Sequence, residues 1–164
     1  RIKFPFFADT IIKITGPGKV FIDSGCVTAL NALDRPTIVT LHPESVVTIG
    51  KKCALAGMTI RCKKTITIGD RAMLPGSLIQ DFWFYSDPKN TFVNTSKGNA
   101  PITIGDDVWL AMQSAVLPGS SIGDGAVLGV QAVLYNASVE QHCFAYGNPI
   151  KGRMIINNYR ELSE

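Results

Sequence analysis

The stretch "SLIQDFWFYSDPKN", Ser77 to Asn90, sets a carboxylate, Asp81, directly before an unbroken aromatic run, Phe82, Trp83, Phe84 and Tyr85, in a chain only 9% aromatic. A carboxylate there can accept a proton at neutral pH, whereas a tyrosine with its ordinary pKa of about 10 is a poor base. Aromatic faces suit the apolar faces of a sugar ring and equally suit a buried subunit contact. Other reactive side chains are sparse. There are two histidines, His42 in "TLHPES" and His142 in "EQHCFAYGNP". The four cysteines, Cys26, Cys53, Cys62 and Cys143, form no Cys-x-x-Cys pair. They are expected to be reduced and buried, without a structural zinc. The basic positions Lys51, Lys52, Arg61, Lys63, Lys64 and Arg71 cluster before the aromatic run. They fit an anionic acceptor, and they fit solvated corners as well.

Bulk properties narrow the setting. A length of 164 residues suits one domain with a single extended core. The net charge of +3, without a long basic run, gives no footprint for nucleic acid. No stretch approaches the roughly 18 to 20 apolar residues that cross a bilayer, and "RIKFPFFADTIIKI" is broken by Pro5, Asp9 and Lys13. The expectation is a soluble cytoplasmic protein with no membrane partner.

What must position these groups is a repeat. Ile104, Leu110, Val116, Ile122, Leu128 and Leu134 are all apolar and six residues apart. An apolar-Gly-charged phrase recurs as "TIGK" at Thr48, "TIGD" at Thr67, "TIGD" at Thr103 and "SIGD" at Ser121. Leu55 and Leu74 each follow the Ile of such a phrase, Ile49 and Ile68, by six. A helix wants a period of 3.6 and a strand a period of 2, so a period of six needs its own geometry. Six residues make a short strand and a tight corner, and three such units close a triangular coil. Apolar residues then stack inside a prism, while Gly, Asp, Asn and Ser serve the corners. Coils bond to their neighbours, so stability grows by stacking. The pattern predicts an all-β parallel β-helix, with one domain over residues 1–164, a less regular start over 1–45, a loop excursion over about 80–101, and a tail or short helix over about 150–164.

The stretch "ITIGDDVWLAMQSAVLPGSSIGDGAVLGVQAVL", followed by "YGNPIKGR", resembles the hexapeptide-repeat acyltransferases, most closely the galactoside and maltose O-acetyltransferase branch. The resemblance implies a left-handed β-helix, a homotrimer, and transfer of an acetyl group from acetyl-CoA to a hydroxyl of a saccharide or other small acceptor. It places acetyl-CoA in the groove between two subunits. Matched position by position, Trp109 falls by the thioester, and Ala111, Met112, Gly129 and Val130 offer backbone to the pantetheine arm. Lys151 and Arg153 fall near the phosphates of the nucleotide end, where cationic side chains suit phosphate oxygens.

In the resembling enzymes the excursion loop carries a His as general base, and this loop has none. Counting back from Trp109 puts Tyr85 in the slot, while matching Asp87 and Pro88 puts Phe84 there. The implied catalytic candidates are therefore Tyr85, by position, and Asp81, by chemistry. The alternative is a relative that binds a ligand or partner without acyl transfer. The γ-type carbonic anhydrases share the fold but need three His around zinc, and two cannot supply them.

Overall fold

The computed structural model describes residues 1–29, 34–83 and 98–156 in full, and the backbone of 85–87 and 90–93. Phe84 lies outside the described residues. The chain is a left-handed parallel β-helix of about six turns, with no helix among the described residues. Each turn runs over three faces. On the first face Lys19–Ile22, Val46–Ile49, Thr65–Ile68, Ile102–Ile104, Ser121–Ile122 and Ser138–Val139 pair in parallel, in that order. The third face stacks Lys13–Thr15, Thr37–Thr40, Thr59–Cys62, Leu78–Gln80, Ala115–Val116 and Val133–Leu134. The second face joins Phe7–Ala8 to Val27–Thr28, continues through single bridges at Ala54 and Met73, and goes on through Trp109–Leu110, Val127–Leu128 and Cys143–Tyr146. Its last strand, Gly152–Ile155, turns back antiparallel on Cys143–Tyr146. The chain after the repeats thus adds a strand where a tail or short helix was expected; residues 157–164 lie outside the described residues.

All ten apolar positions that the period of six selects, from Ile49 to Leu134, are at most 3% exposed. The clean coil repeats after eighteen residues, as Thr103 pairs with Ser121, which is three units of six. Nearer the N-terminus the step is nineteen, from Val46 to Thr65, and twenty-seven, from Lys19 to Val46. The start of the chain thus stacks on the same faces with longer, unequal steps. Extra corner residues hide the period while Val20, Ile22, Ile38 and Val47 still point inward.

Each letter of the recurring phrase has a physical cause. The Ile stacks in the prism. The Asp reaches to the preceding coil: Asp70 accepts the Lys51 amide (2.7 Å), Asp106 the Asp70 amide (2.8 Å) and Asp124 the Asp106 amide (2.8 Å). The Gly differs from expectation, because it is not the residue that makes the turn. Left-handed backbone occurs two positions later, at Lys52, Arg71 and Asp107. The Gly is needed because the next coil passes too close for a side chain: a Cβ at Gly69 would lie 2.7 Å from the Gly105 carbonyl oxygen, and one at Gly105 would lie 2.8 Å from the Asp124 amide nitrogen. Both neighbours are backbone and cannot step aside. Gly105→Ala is expected to cost about 1–3 kcal/mol, the usual range for overpacking, read as a lowered melting temperature in a fold that still forms.

Candidate functional site

The excursion between Gln80 and Ile102 leaves at the corner from the third face to the first. Its root is built from side chains that look chemically active in sequence. Asp81 is fully buried; its Oδ1 accepts the Lys63 amide and its Oδ2 the Lys64 amide, both at 2.7 Å. The Cys62 thiol also donates to Asp81 Oδ2, at 3.4 Å. The returning chain closes on the same residue, with the Ala100 amide donating to the Asp81 carbonyl at 3.1 Å. Gln80 Nε2 donates to the Phe82 carbonyl (2.8 Å), Phe82 is fully buried, and the Arg61 guanidinium lies 5.5 Å from its ring centroid. Trp83 meets Tyr135 edge to face at 5.2 Å. Two of the four aromatics thus fasten the loop to the prism. Tyr85 opens a short antiparallel hairpin, Tyr85–Asp87 with Asn90–Val93.

Burial, then the charge and hydrogen bond of Asp81, push the Cys62 thiol up to about 12. Its folded-state pKa exceeds the unfolded value of about 8.5, so the native state holds the proton more tightly. That contribution is complete below pH 8.5 and is lost as pH rises towards 12. Chemical denaturation across this window should show stability falling with pH, and Cys62→Ser should flatten the fall.

The residues that the resemblance assigns to acetyl-CoA divide between a face and a corner. Trp109 projects from the second face, 44% exposed, in register between Met73 and Val127. Ala111 is nearly buried, and its amide donates to the Leu128 carbonyl while the Gly129 amide donates to that of Ala145, both at 2.8 Å. Those two amides are consumed by the ladder. Met112 and Val130, one residue on, are different. They stand on the corner from the second face to the third, 41% and 67% exposed. Among the described residues neither donates its amide to a backbone carbonyl. The Gln131 amide donates to the Met112 carbonyl at 3.1 Å, so the two positions belong to successive coils, about 4.8 Å apart. Two N–H groups without a backbone acceptor at that interval suit the carbonyl groups of an extended chain lying along the corner.

The same corner carries Lys151 at its far end, past the cis Asn148–Pro149 bond, with the Lys151 amide held by the Tyr146 carbonyl at 2.9 Å. At the near end, Met112 borders a cavity of about 280 Å3 with Thr59, Arg61, Ser77 and Gln113, and the buried Ser77 hydroxyl has no hydrogen-bond partner among the described residues. Arg153 lies elsewhere. Its guanidinium is 3.9 Å from Glu140, across the last strands of the second face.

The basic cluster divides as well. Arg71 is bound bidentately by Asp107, at 2.6 and 2.7 Å, which also holds the Asp107 carboxyl below the usual range. Lys63 and Lys64 sit at the loop's root, on the corner that also carries His42. Sequence reasoning missed that neighbourhood, because His42 and the loop are separated in sequence and adjacent only through stacking. His142 occupies a left-handed position on the remaining corner. Among the described residues no three His, Cys, Asp or Glu gather as metal ligands, and no helix is long and apolar enough to cross a membrane.

This fold is a β-solenoid with a period of six residues, and Met112, Val130 and Lys151 share one of its corners. No protein-family profile matches the chain. In sequence it is similar to a chloramphenicol acetyltransferase from Agrobacterium fabrum, 38% identical over 77 residues, which are 44% of this chain and 36% of that protein. The chain thus spans about a third of that relative's length. In structure it is similar to a galactoside acetyltransferase in complex with coenzyme A, with a TM-score of 0.61 and 22% identity over 82% of this chain and 66% of the other. It is also similar to the polysialic-acid-specific acetyltransferase NeuO, with a TM-score of 0.61 and 21% identity over 93% of this chain and 69% of the other. The proteins that the chain is similar to in sequence and in structure are acetyltransferases, as the repeat phrases led one to expect.

Proposed function

We propose that the chain is an acetyl-CoA-dependent O-acetyltransferase for a saccharide or similar hydroxyl acceptor, working as a homotrimer. The observation that carries this reading is the pair of amides at Met112 and Val130, one coil apart and without a backbone acceptor among the described residues, on the corner that leads to Lys151. The amides would hold the pantetheine arm and Lys151 the phosphates. Acetyl-CoA supplies the acetyl group: the acceptor oxygen forms the ester, the thioester C–S bond breaks, and the acceptor's proton must leave by way of a base. Coenzyme A in the galactoside acetyltransferase complex supports the donor, and the galactoside and polysialic acid in the two enzymes' names support a saccharide acceptor.

The second face supplies the argument for assembly. Phe7, Val27, Met73, Trp109 and Met154 all leave apolar surface exposed along one line of register, a continuous stripe that a partner copy would cover. Of the two loop candidates, Tyr85 keeps the role that its position in the sequence suggests, because both Asp81 oxygens are occupied by amides. Asp81 acts as a positioning residue. Its burial also favours a second reading, binding without transfer, since it withdraws the Asp81 carboxylate as a base.

Release of thiol from acetyl-CoA in the presence of saccharide acceptors tests the proposal. Turnover should appear, and Lys151→Ala should raise KM for acetyl-CoA by about tenfold, the worth of one charge-assisted contact. The difference should shrink at high salt as the charge is screened. Saturable acetyl-CoA binding with no thiol release for any acceptor would favour the second reading.

A further inference from the structure

The four cysteines are scattered in sequence, and stacking brings two of them together. The residues that enter the second face from the corner after the first form one column inside the prism: Cys26, Cys53, Ala72, Val108, Ala126 and Cys143. Each precedes a residue paired in register with its counterpart on the next coil. All six are at most 8% exposed. Cys26 and Cys53 are successive members of the column, whereas Ala72, Val108 and Ala126 part Cys53 from Cys143. Cys62 ends a strand of the third face, where its thiol is bound to Asp81.

The pair meets the geometric demand of a disulfide. The Val27 amide donates to the Cys53 carbonyl at 2.9 Å and the Leu55 amide to the Val27 carbonyl at 2.8 Å, which fixes the register of the two coils. The Cα atoms of Cys26 and Cys53 are thus one coil apart, about 4.8 Å. Bridged cysteines have Cα atoms roughly 4.4–6.8 Å apart. The sulfurs converge as well: the Cys26 thiol donates to the Gly50 carbonyl at 3.1 Å, and the Cys53 sulfur lies 3.6 Å from that same oxygen. The Cys53 thiol also reaches the Gly69 carbonyl, at 3.2 Å. The hydrogen bond of the Cys53 thiol, set against burial, draws Cys26 below its ordinary thiol range. What covers Cys26 is a single pass of chain, residues 1–8, held by the Gly25 amide on the Pro5 carbonyl and the Phe7 amide on the Cys26 carbonyl, with Phe4 and Phe7 exposed. Opening that pass, rather than the prism, admits a small neutral oxidant.

We propose that Cys26 and Cys53 are a redox-active pair, which hydrogen peroxide converts to a disulfide that locks the coil of Val27 to the coil of Ala54. The Cys26 thiolate attacks one peroxide oxygen, the O–O bond breaks, and the departing oxygen leaves as water with Cys26 as a sulfenic acid. The Cys53 sulfur then attacks the Cys26 sulfur, the S–O bond breaks, and the hydroxyl leaves as a second water with the Cys53 proton. Two electrons pass from the two sulfurs to the peroxide, and a dithiol reductant returns them. The bond restricts the unfolded chain more than the folded one, so it stabilises the solenoid. The assignment is independent of the transferase reading, because the pair lies on a different corner from Met112 and Val130.

The test exposes the purified chain to hydrogen peroxide at neutral pH, alkylates the remaining thiols under denaturing conditions, and maps the peptides by mass spectrometry without reductant. A peptide pair joining Cys26 to Cys53 is expected, with Cys62 and Cys143 alkylated. The oxidised protein should melt about 5–10 °C above the untreated one. Dithiothreitol should remove the link and restore the original melting. Cys26→Ala and Cys53→Ala introduce the residue that Ala72 and Ala126 already place in this column, and neither variant should change its melting on oxidation. That readout is the difference between oxidised and reduced samples of one variant, so a lower starting stability leaves it intact. Four alkylated cysteines after peroxide overturn the proposal. So does a link through Cys62 or Cys143, oxidation of Cys26 to a sulfinic acid without a link, or a peroxide-induced rise in melting that survives in Cys26→Ala.

Discussion

Leu128→Asp is expected to leave no folded protein. Leu128 is fully buried and stacks in register between Leu110 and Ala145 of the coils on either side. An aspartate there would sit in the dry interior of the prism with no cation or donor facing it. Leaving a charge unpaired in a core costs several kcal/mol, against a total stability of about 5–15 kcal/mol for a domain of this kind. Stacking makes the loss worse, since a coil that cannot form removes the interface that each neighbour relies on. Thr103→Asp is the control. Thr103 precedes an inward Ile104 but faces solvent, so its change should stay within about 0.5 kcal/mol. Circular dichroism and thermal melting would show the contrast, and a cooperative Leu128→Asp protein with wild-type melting would contradict the stacked core.

The second large effect concerns the loop. Tyr85→His puts an imidazole, with a pKa near neutrality, at the position that the resemblance gives to the base. Acetyl transfer should rise by about 10²-fold or more, the lower end of what a positioned base supplies. Asp81→Asn should act differently. The new amide group would set an N–H donor against the Lys63 or Lys64 amide, where only an acceptor fits. The loop's root should loosen, the melting temperature fall, and turnover fall in step with it. A normally folded Asp81→Asn protein with turnover abolished would move the chemistry to Asp81, and an unchanged rate in Tyr85→His would show that more than a base is missing.

These contrasts also show which features the sequence could carry. Ile104 to Leu134 disclosed the prism because their coils hold to eighteen residues, so a local spacing reported a global shape. Val20 and Ile38 are buried too, yet the longer steps between their coils erase the period. At the candidate site, Met112, Val130 and Lys151 were singled out by the resemblance, and their sharing a corner comes from the stacking of successive coils. The fate of Asp81 was not legible. Nothing near it in sequence says that the amides of Lys63 and Lys64 will arrive at its two oxygens, and a carboxylate beside an aromatic run reads as chemistry until that contact is seen. The same holds for Phe82 and Trp83, whose partners are Arg61, on the preceding coil, and Tyr135, two coils further on.

Amide hydrogen exchange at Met112 and Val130, with and without coenzyme A, addresses the central claim most directly. Both amides lie outside the backbone ladder and on an exposed corner, so in the free protein they should exchange quickly. Coenzyme A should slow both together, while Ala111 and Gly129, already bonded to the adjacent coil, change little. Protection at Met112 and Val130 that disappears when the ligand is removed would place the donor on this corner. Exchange at both that stays fast at saturating coenzyme A would contradict the account.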